Sequence, residues 1–221
     1  MEVDIIQNEA AQDQVTAPWD ANPLPSISQL PTELLTGIIQ LSLPEIDFKL
    51  HSASFRLRSH MKRLYIMRSV TKRWQAIIEG TPSFWITIAS ALPSDVNEAS
   101  VLRSSNLPLS IIYRDPRPGL SNDHLSATEF LKLVQHTRPR WSSLVLDLYD
   151  NTDMSNYLGV PLPLLQTIIV GNGGRTRFEP LELLGRDTSN LRFVELSGIS
   201  IRWRMGLFVQ LKCLKFGATA S

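Results

Sequence analysis

The side chains able to carry out chemistry are few and scattered. His51, His60 and His136 stand alone, His124 follows Asp123, and Cys213 is the sole cysteine. A zinc or iron site needs three or four such ligands at short, defined spacings, and none emerges here. Cys213 lies in a strand-like stretch with no nearby histidine, which predicts a buried structural thiol and not an activated nucleophile. Gly171-Asn172-Gly173-Gly174-Arg175 follows an apolar stretch, as a phosphate loop would. It has neither the GxxxxGK[ST] nor the GxGxxG spacing that brings backbone amides around a phosphate, so it reads as a turn. No G-x-S-x-G nucleophile elbow is present. The expectation is a chain that is not an enzyme, holds no metal and needs no cofactor. What remains is binding through apolar and charged surfaces.

Charge is where the sequence is organised. The 221 residues carry 22 Lys+Arg and 21 Asp+Glu, a formal net charge of +1. Residues 1–48 hold eight acids and no base, and residues 49–75 hold eight bases and no acid. The bases are Lys49, Arg56, Arg58, Lys62, Arg63, Arg68, Lys72 and Arg73. Blocks of this kind pair with each other, meet a charged partner, or form a solvated helix face. A nucleic-acid partner for the 49–75 block is one alternative, but Phe55, Tyr65 and Trp74 are its only aromatics and the pI is near 7.9, short of a domain-wide basic footprint. The lone cysteine excludes an internal disulfide framework, and no N-x-[ST] sequon occurs; both fit a reducing compartment, cytoplasmic or nuclear. No signal-peptide pattern and no apolar run long enough for a membrane span is visible, so secreted and membrane readings are set aside.

The elements that must position any binding surface follow from periodicity. Residues 1–26 are acidic and polar with Pro18, Pro23 and Pro25, and predict a disordered tail whose one anchor is Trp19. Apolars at 30, 34, 35, 38, 39 and 41 predict an amphipathic helix that starts near Pro31 and stops at Pro44. Residues 45–60 read as a polar, basic connector. Leu64, Met67, Val70, Trp74, Ile77 and Ile78 predict helix from about 61 to 79, split into two where the β-branched pair Val70 and Thr71 weakens it. Gly80-Thr81-Pro82 ends it, and Phe84-Trp85-Ile86-Thr87-Ile88 reads as a short strand with Trp85 as a core anchor.

The second half repeats. The spacing apolar-x-x-apolar-x-apolar occurs at Trp141, Leu144 and Leu146, at Leu165, Ile168 and Val170, at Leu191, Val194 and Leu196, and at Leu211, Leu214 and Phe216. The middle positions are 24, 26 and 20 residues apart, inside the range of leucine-rich repeats. Leu109 to Tyr113 predicts an irregular earlier strand. Ser126-Ala127-Thr128-Glu129 is a capping box for a helix with Phe130, Leu131, Leu133 and Val134 on its apolar face. Shorter helices are expected at 180–185 and 205–209, and Trp203 is a core candidate. Parity along each strand turns Leu144 and Leu146 inward. It sends Ser143, Val145, Asp147, Thr167, Ile169, Phe193, Glu195, Cys213 and Lys215 to an open face, of which Val145, Asp147, Thr167, Ile169, Phe193, Glu195 and Lys215 are the candidate target contacts. Only residues 217–221 follow the last repeat strand, which predicts a truncated or uncapped end.

Leu30-Pro31-x-Glu33-Leu34-Leu35-x-x-Ile38-Ile39, Val70-Thr71-Lys72-Arg73-Trp74 and Pro82-x-Phe84-Trp85 resemble an F-box. With Leu102-Arg103-Ser104-Ser105-Asn106-Leu107-Pro108-Leu109, Arg140-Trp141-x-x-Leu144 and Leu162-Pro163-x-Leu165-Gln166-Thr167, the chain is similar to fungal F-box proteins with irregular leucine-rich repeats. Two departures stand out: the stretch between the first two helices is long, and Thr71 takes a position where cysteine is common. The resemblance implies an α + α/β fold: a disordered acidic tail at 1–26, a three-helix F-box-like unit at 27–88 and a leucine-rich-repeat-like α/β solenoid at 89–221. It implies a substrate receptor of a Skp–cullin–F-box ubiquitin ligase, serving ubiquitin-dependent degradation. Carried across residue by residue, the contacts to a Skp-type adaptor are Leu30, Pro31, Leu34, Leu35, Ile38, Val70 and Trp74, while the repeats bind a target protein. A protein-interaction scaffold outside any ligase is the other alternative.

Overall fold

A threonine decides where the second helical stretch breaks. Thr71 is extended, and its hydroxyl accepts the Trp74 N–H at 3.1 Å, capping the helix Lys72–Gly80 (α3). The preceding helix is Ala53–Arg68 (α2), and the first is Thr32–Ser42 (α1). The split falls at Val70 and Thr71, as the β-branched pair predicted. The start of α2 does not: helix begins at Ala53, inside the segment expected to be a connector. Among its residues from 56 on, Leu57, Met61 and Leu64 are the buried ones, and the long basic side chains between them, good helix formers, hide the period.

The computed structural model describes residues 27–46, 53–115, 125–149, 158–172, 190–199 and 210–217. The acidic segment 1–26 with Trp19, the expected helices at 180–185 and 205–209, Trp203, His51, the Asp123–His124 pair and Gly173 to Arg175 lie outside them. Two units are distinguished, 1–31 and 32–221. In the first, Ile27–Gln29 forms one 3-10 turn and the Leu30 N–H reaches the Ile27 carbonyl at 3.4 Å.

The second unit has mixed α/β architecture. After α3 the chain makes a 3-10 turn, Pro82–Trp85, and enters the strand Thr87–Ala89 (β1). The expected strand at 84–88 is therefore mostly turn, because the Trp85 indole N–H donates to the Ile78 carbonyl at 2.8 Å and holds the chain against α3. Helix Ser94–Arg103 (α4) leads to strand Leu109–Arg114 (β2), and helix Ala127–Val134 (α5) to strand Trp141–Leu148 (β3). Thr167–Asn172 (β4), Phe193–Ser197 (β5) and Cys213–Gly217 (β6) complete a six-stranded sheet, all parallel, in chain order from β1 to β6.

The repeat spacing is realised as register. Leu144 lies opposite Ile168, Ile168 opposite Val194 and Val194 opposite Leu214. Ahead of each strand the same backbone bond recurs: Gln166 N–H to the Ser142 carbonyl, Arg192 N–H to that of Gln166, and Lys212 N–H to that of Arg192, each at 2.8 Å. One face of the sheet, with Ile111, Tyr113, Leu144, Leu146, Ile168, Val170, Val194 and Leu196, forms one buried cluster with Phe130, Leu131 and Val134 of α5, which lies against β2, and with Leu158, Leu162, Leu165 and Leu191. The Ser126–Glu129 capping box is present at the start of α5. Leu133, expected on the apolar face of this helix, is half-exposed instead.

α4 had no visible period because its inward residues are polar. Asn97 and Ser100 are buried, whereas Leu102 is exposed. The Asn97 carboxamide accepts the Ala89 N–H at 3.0 Å and donates to the Ala89 carbonyl at 2.9 Å and the Leu92 carbonyl at 3.3 Å. Bonds from Ser110 to Ile86 and from Ser90 to Ile112 place the even-numbered residues of this stretch against β2, so Ala89 faces the outer edge. Asn97 thus takes the place of a neighbouring strand there. Asn97→Ala leaves the buried Ala89 N–H without its acceptor and takes a donor from the Ala89 and Leu92 carbonyls, of which Ala89 keeps the Leu92 N–H, and lowers the unfolding free energy by about 1–3 kcal/mol. Urea denaturation with an unchanged m-value is the check.

Candidate partner-binding surfaces

The apolar residues of α1 divide by angle. Leu35 and Ile39 are fully buried, whereas Leu34, Ile38 and Leu41 are 56%, 41% and 88% exposed. Positions 34, 38 and 41 are spaced i, i+4, i+7 and share one stripe; 35 and 39 lie about 100° around the helix. α1 packs on α3, which packs on α2. Leu34 and Ile38, both expected at a partner surface, are on the outside. Leu35 is not: it is core, and its place among the expected contacts is corrected to a supporting one. Leu41 joins the exposed stripe; its apolar type and position were visible in the sequence, but the motif match did not include it.

Of the remaining expected contacts, Val70 is exposed at the α2–α3 junction and Trp74 is half-buried on the first turn of α3. Leu30 is half-buried and Pro31 exposed in the short first unit.

The sheet face opposite α5 carries three files of side chains in register. Thr87, Ser110, Ser143, Thr167, Phe193 and Cys213 form one; Ala89, Ile112, Val145, Ile169, Glu195 and Lys215 form the second. Arg114, Asp147, Gly171, Ser197 and Gly217 form the third. Parity is as predicted, but exposure is not uniform. Val145 and Ile169 are 1% and 4% exposed, and Asp147 is also buried, so these three are corrected from contact candidates to interior residues. Val145 has Ile112 on one side and Ile169 on the other, and aliphatic neighbours in register close each other off. Asp147 is held by Arg114 at 3.2 Å, which neutralises its charge. The accessible part of the face lies toward β5 and β6. Thr167, Phe193 and Glu195 are half-buried, Lys215 is exposed, and the Lys215 ammonium sits 5.2 Å from the Phe193 ring centroid. Cys213 is half-buried, more open than its strand-like setting predicted.

A polar clasp holds the helices that present these surfaces. Glu79 on α3 receives the Arg68 guanidinium from α2, an Nε–H bond at 2.5 Å, and the Gln75 amide at 3.2 Å. Arg103 from α4 approaches the same carboxylate at 3.5 Å and stacks over Trp85 at 4.6 Å. The Gln75 hydrogen bond, reinforced by Arg68 and Arg103, holds the Glu79 carboxyl below its ordinary value of 4.5 against the opposing effect of burial.

Among the described residues no three His, Cys, Asp or Glu side chains could hold a metal ion, and no helix is long and apolar enough to cross a membrane. His60 bonds through Nδ1 to the Pro44 carbonyl at 2.8 Å, and His136 to that of Leu133 at 3.1 Å. Comparisons with protein-family models, with curated proteins and with solved structures returned no match.

The clasp carries a pH signature. A carboxyl whose folded value is lowered contributes stability that is complete above its unfolded value and is lost as pH falls through the folded one. Glu79→Gln removes that contribution. The stability difference between the parent chain and Glu79→Gln should be constant at neutral pH and shrink as pH drops below about 4.5, read from denaturant titrations at a series of pH values.

Proposed function

We propose that this chain is a non-catalytic substrate receptor of a Skp–cullin–F-box ubiquitin ligase. In this reading α1–α3 is an F-box-like unit that binds a Skp-type adaptor. The parallel sheet is a short, irregular leucine-rich-repeat-like solenoid that presents a target protein. Ubiquitin transfer belongs to the ligase's other subunits.

The observation that carries the reading is the outward stripe Leu34, Ile38 and Leu41 on α1, within a segment that has the L-P-x-E and V-T-K-R-W motifs in the order of the F-box. Leu35 and Ile39 already supply the inward face of the same helix, so the stripe is surplus to folding. Large aliphatic residues left outside in this pattern suit a partner helix. The sequential register of β3 to β6, with the repeat positions opposite one another, supports the second half of the reading. Target contacts are then sought at Thr167, Phe193, Glu195 and Lys215, the accessible members of the candidate set.

Isothermal calorimetry with a purified Skp-type adaptor tests the proposal. Binding in the micromolar range or tighter is expected, and no heat at tens of micromolar would defeat it. Leu34→Asp combined with Ile38→Asp should abolish binding, since each carboxylate would be buried against an apolar groove. Both positions are exposed in the free chain, so the double variant should melt as the parent does. Normal binding by that variant would move the contact face elsewhere.

A further inference from the structure

The most basic helix of the chain lines a groove that the α1 surface does not use. Arg58 and Lys62 of α2, at helical spacing, and Ser69 just past its end line one side, and Ala91, Leu92, Pro93 and Val96, at the entry to α4, line the other. The groove is open and encloses about 640 Å³. Its floor is apolar: Met61, Ile66, Leu92 and Val96. Ile66 is 56% exposed, a large aliphatic side chain left outside one turn from Lys62 and Arg63. The rim is cationic. Arg58 donates through Nε to the Ala91 carbonyl at 3.2 Å, which fixes its guanidinium across the groove wall, and Lys62 is exposed one turn further on. No carboxylate is among the described lining residues.

We infer that this groove docks an acidic segment of a partner protein, with one or two large apolar side chains on the floor and flanking Asp or Glu residues against Arg58 and Lys62. Charge complementarity selects the partner, since residues 49–75 carry eight bases and no acid. The apolar floor selects a peptide over a nucleic acid, because phosphates gain nothing from Ile66, Leu92 and Val96. A single-stranded nucleic acid would also draw on an open aromatic face for stacking. Tyr65, the aromatic of this wall, has its ring edge-to-face with Trp85 at 6.3 Å and Arg68 at 5.7 Å from its centroid, so its place is structural. The inference is independent of the adaptor reading, whose contacts lie on α1 and at the α2–α3 junction.

The test is fluorescence anisotropy with the full chain and a labelled amphipathic peptide of about 16 residues, carrying leucines at i, i+3 and i+7 with glutamates on the flanks. Two control peptides replace the glutamates by lysine or the leucines by alanine. The acidic peptide should bind, both controls should bind at least about tenfold more weakly, and affinity should fall as salt rises from about 50 to about 300 mM. Lys62→Glu and Ile66→Asp should each weaken the acidic peptide about fivefold to tenfold, while Leu34→Asp with Ile38→Asp leaves it unchanged. Lys62 and Ile66 are exposed, so matching thermal melts confirm that the variants are folded. The inference is overturned if the acidic and lysine peptides bind alike, or if both groove variants bind as the parent does. It is equally overturned if single-stranded DNA or RNA binds more tightly than the acidic peptide and loses affinity with Lys62→Glu. Self-association in sedimentation velocity that Lys62→Glu abolishes would assign the groove to a second copy of the chain and also overturn it.

Discussion

The helical layer of the second unit depends on how one indole is held. Trp85 is fully buried, bonded through its N–H to the end of α3, met edge-on by Tyr65 of α2 and covered by Arg103 of α4. It stands two residues before β1, so one side chain relates three helices to the first strand of the sheet. The cation over its ring is worth about 0.5–2 kcal/mol, and the indole N–H, if left without its carbonyl, would cost as much again. Arg103 also reaches Glu79, which binds Arg68, so the apolar anchor and the polar clasp share a member. A change at Arg103 therefore acts on both together, and its effect will not be the sum of separate contacts.

The two edges of the sheet are treated differently, and this shapes where recognition can occur. At β1 the carboxamide of Asn97 takes up the outward N–H and carbonyl of Ala89. This removes one residue of the edge from pairing with another chain. Toward the other end the interior files thin out. Ile168 and Val194 are buried, yet Leu214 in their file is 40% exposed; Val170 and Leu196 are buried, yet Phe216 in theirs is 64% exposed. Across the opposite face the same gradient appears: Ile112, Val145 and Ile169 are closed, Glu195 is half-open and Lys215 is open. Sequence variation at the exposed positions of β5 and β6 can therefore alter the surface of the sheet without disturbing its packed centre.

Spacing made much of this legible. The period-two parity around Leu144, Ile168, Val194 and Leu214 predicted strands, their sidedness and their mutual register, because a parallel sheet repeats one residue pattern strand after strand. The capping box at Ser126 and the break at Thr71 were legible for a local reason: each depends on side chains within three residues. What was hidden is equally physical. α4 buries Asn97 and Ser100, so no apolar period announces it. From residue 56 on, α2 buries Leu57, Met61 and Leu64 and surrounds them with long basic side chains. Burial on the sheet face could not be read from parity, since parity gives the side of the sheet and says nothing of what closes over it. Leu35 was assigned outward by a motif, and only the packing of α1 on α3 decides between 34 and 35.

The separation of roles on α1 has an energetic meaning. Exposing Leu34, Ile38 and Leu41 forgoes burial worth roughly 1.5–3 kcal/mol for each side chain once fully covered. A free chain gains nothing from this arrangement; the proposed complex would recover it, at lower entropic cost if the helix is already ordered. α1 rests through Leu35 and Ile39 on a helix layer that Glu79 and Trp85 hold to the sheet, so the stripe is presented in a fixed orientation before any partner arrives. The same layer fixes Ile66, Arg58 and Lys62 around the second groove. Preorganisation of this kind lowers the entropic cost of association at both surfaces. A lesion in the clasp should then weaken binding at α1 and at α2 together, although the clasp touches neither stripe nor groove floor. Coupling of that form separates a rigid two-surface receptor from two independent sticky patches, which would lose affinity one at a time.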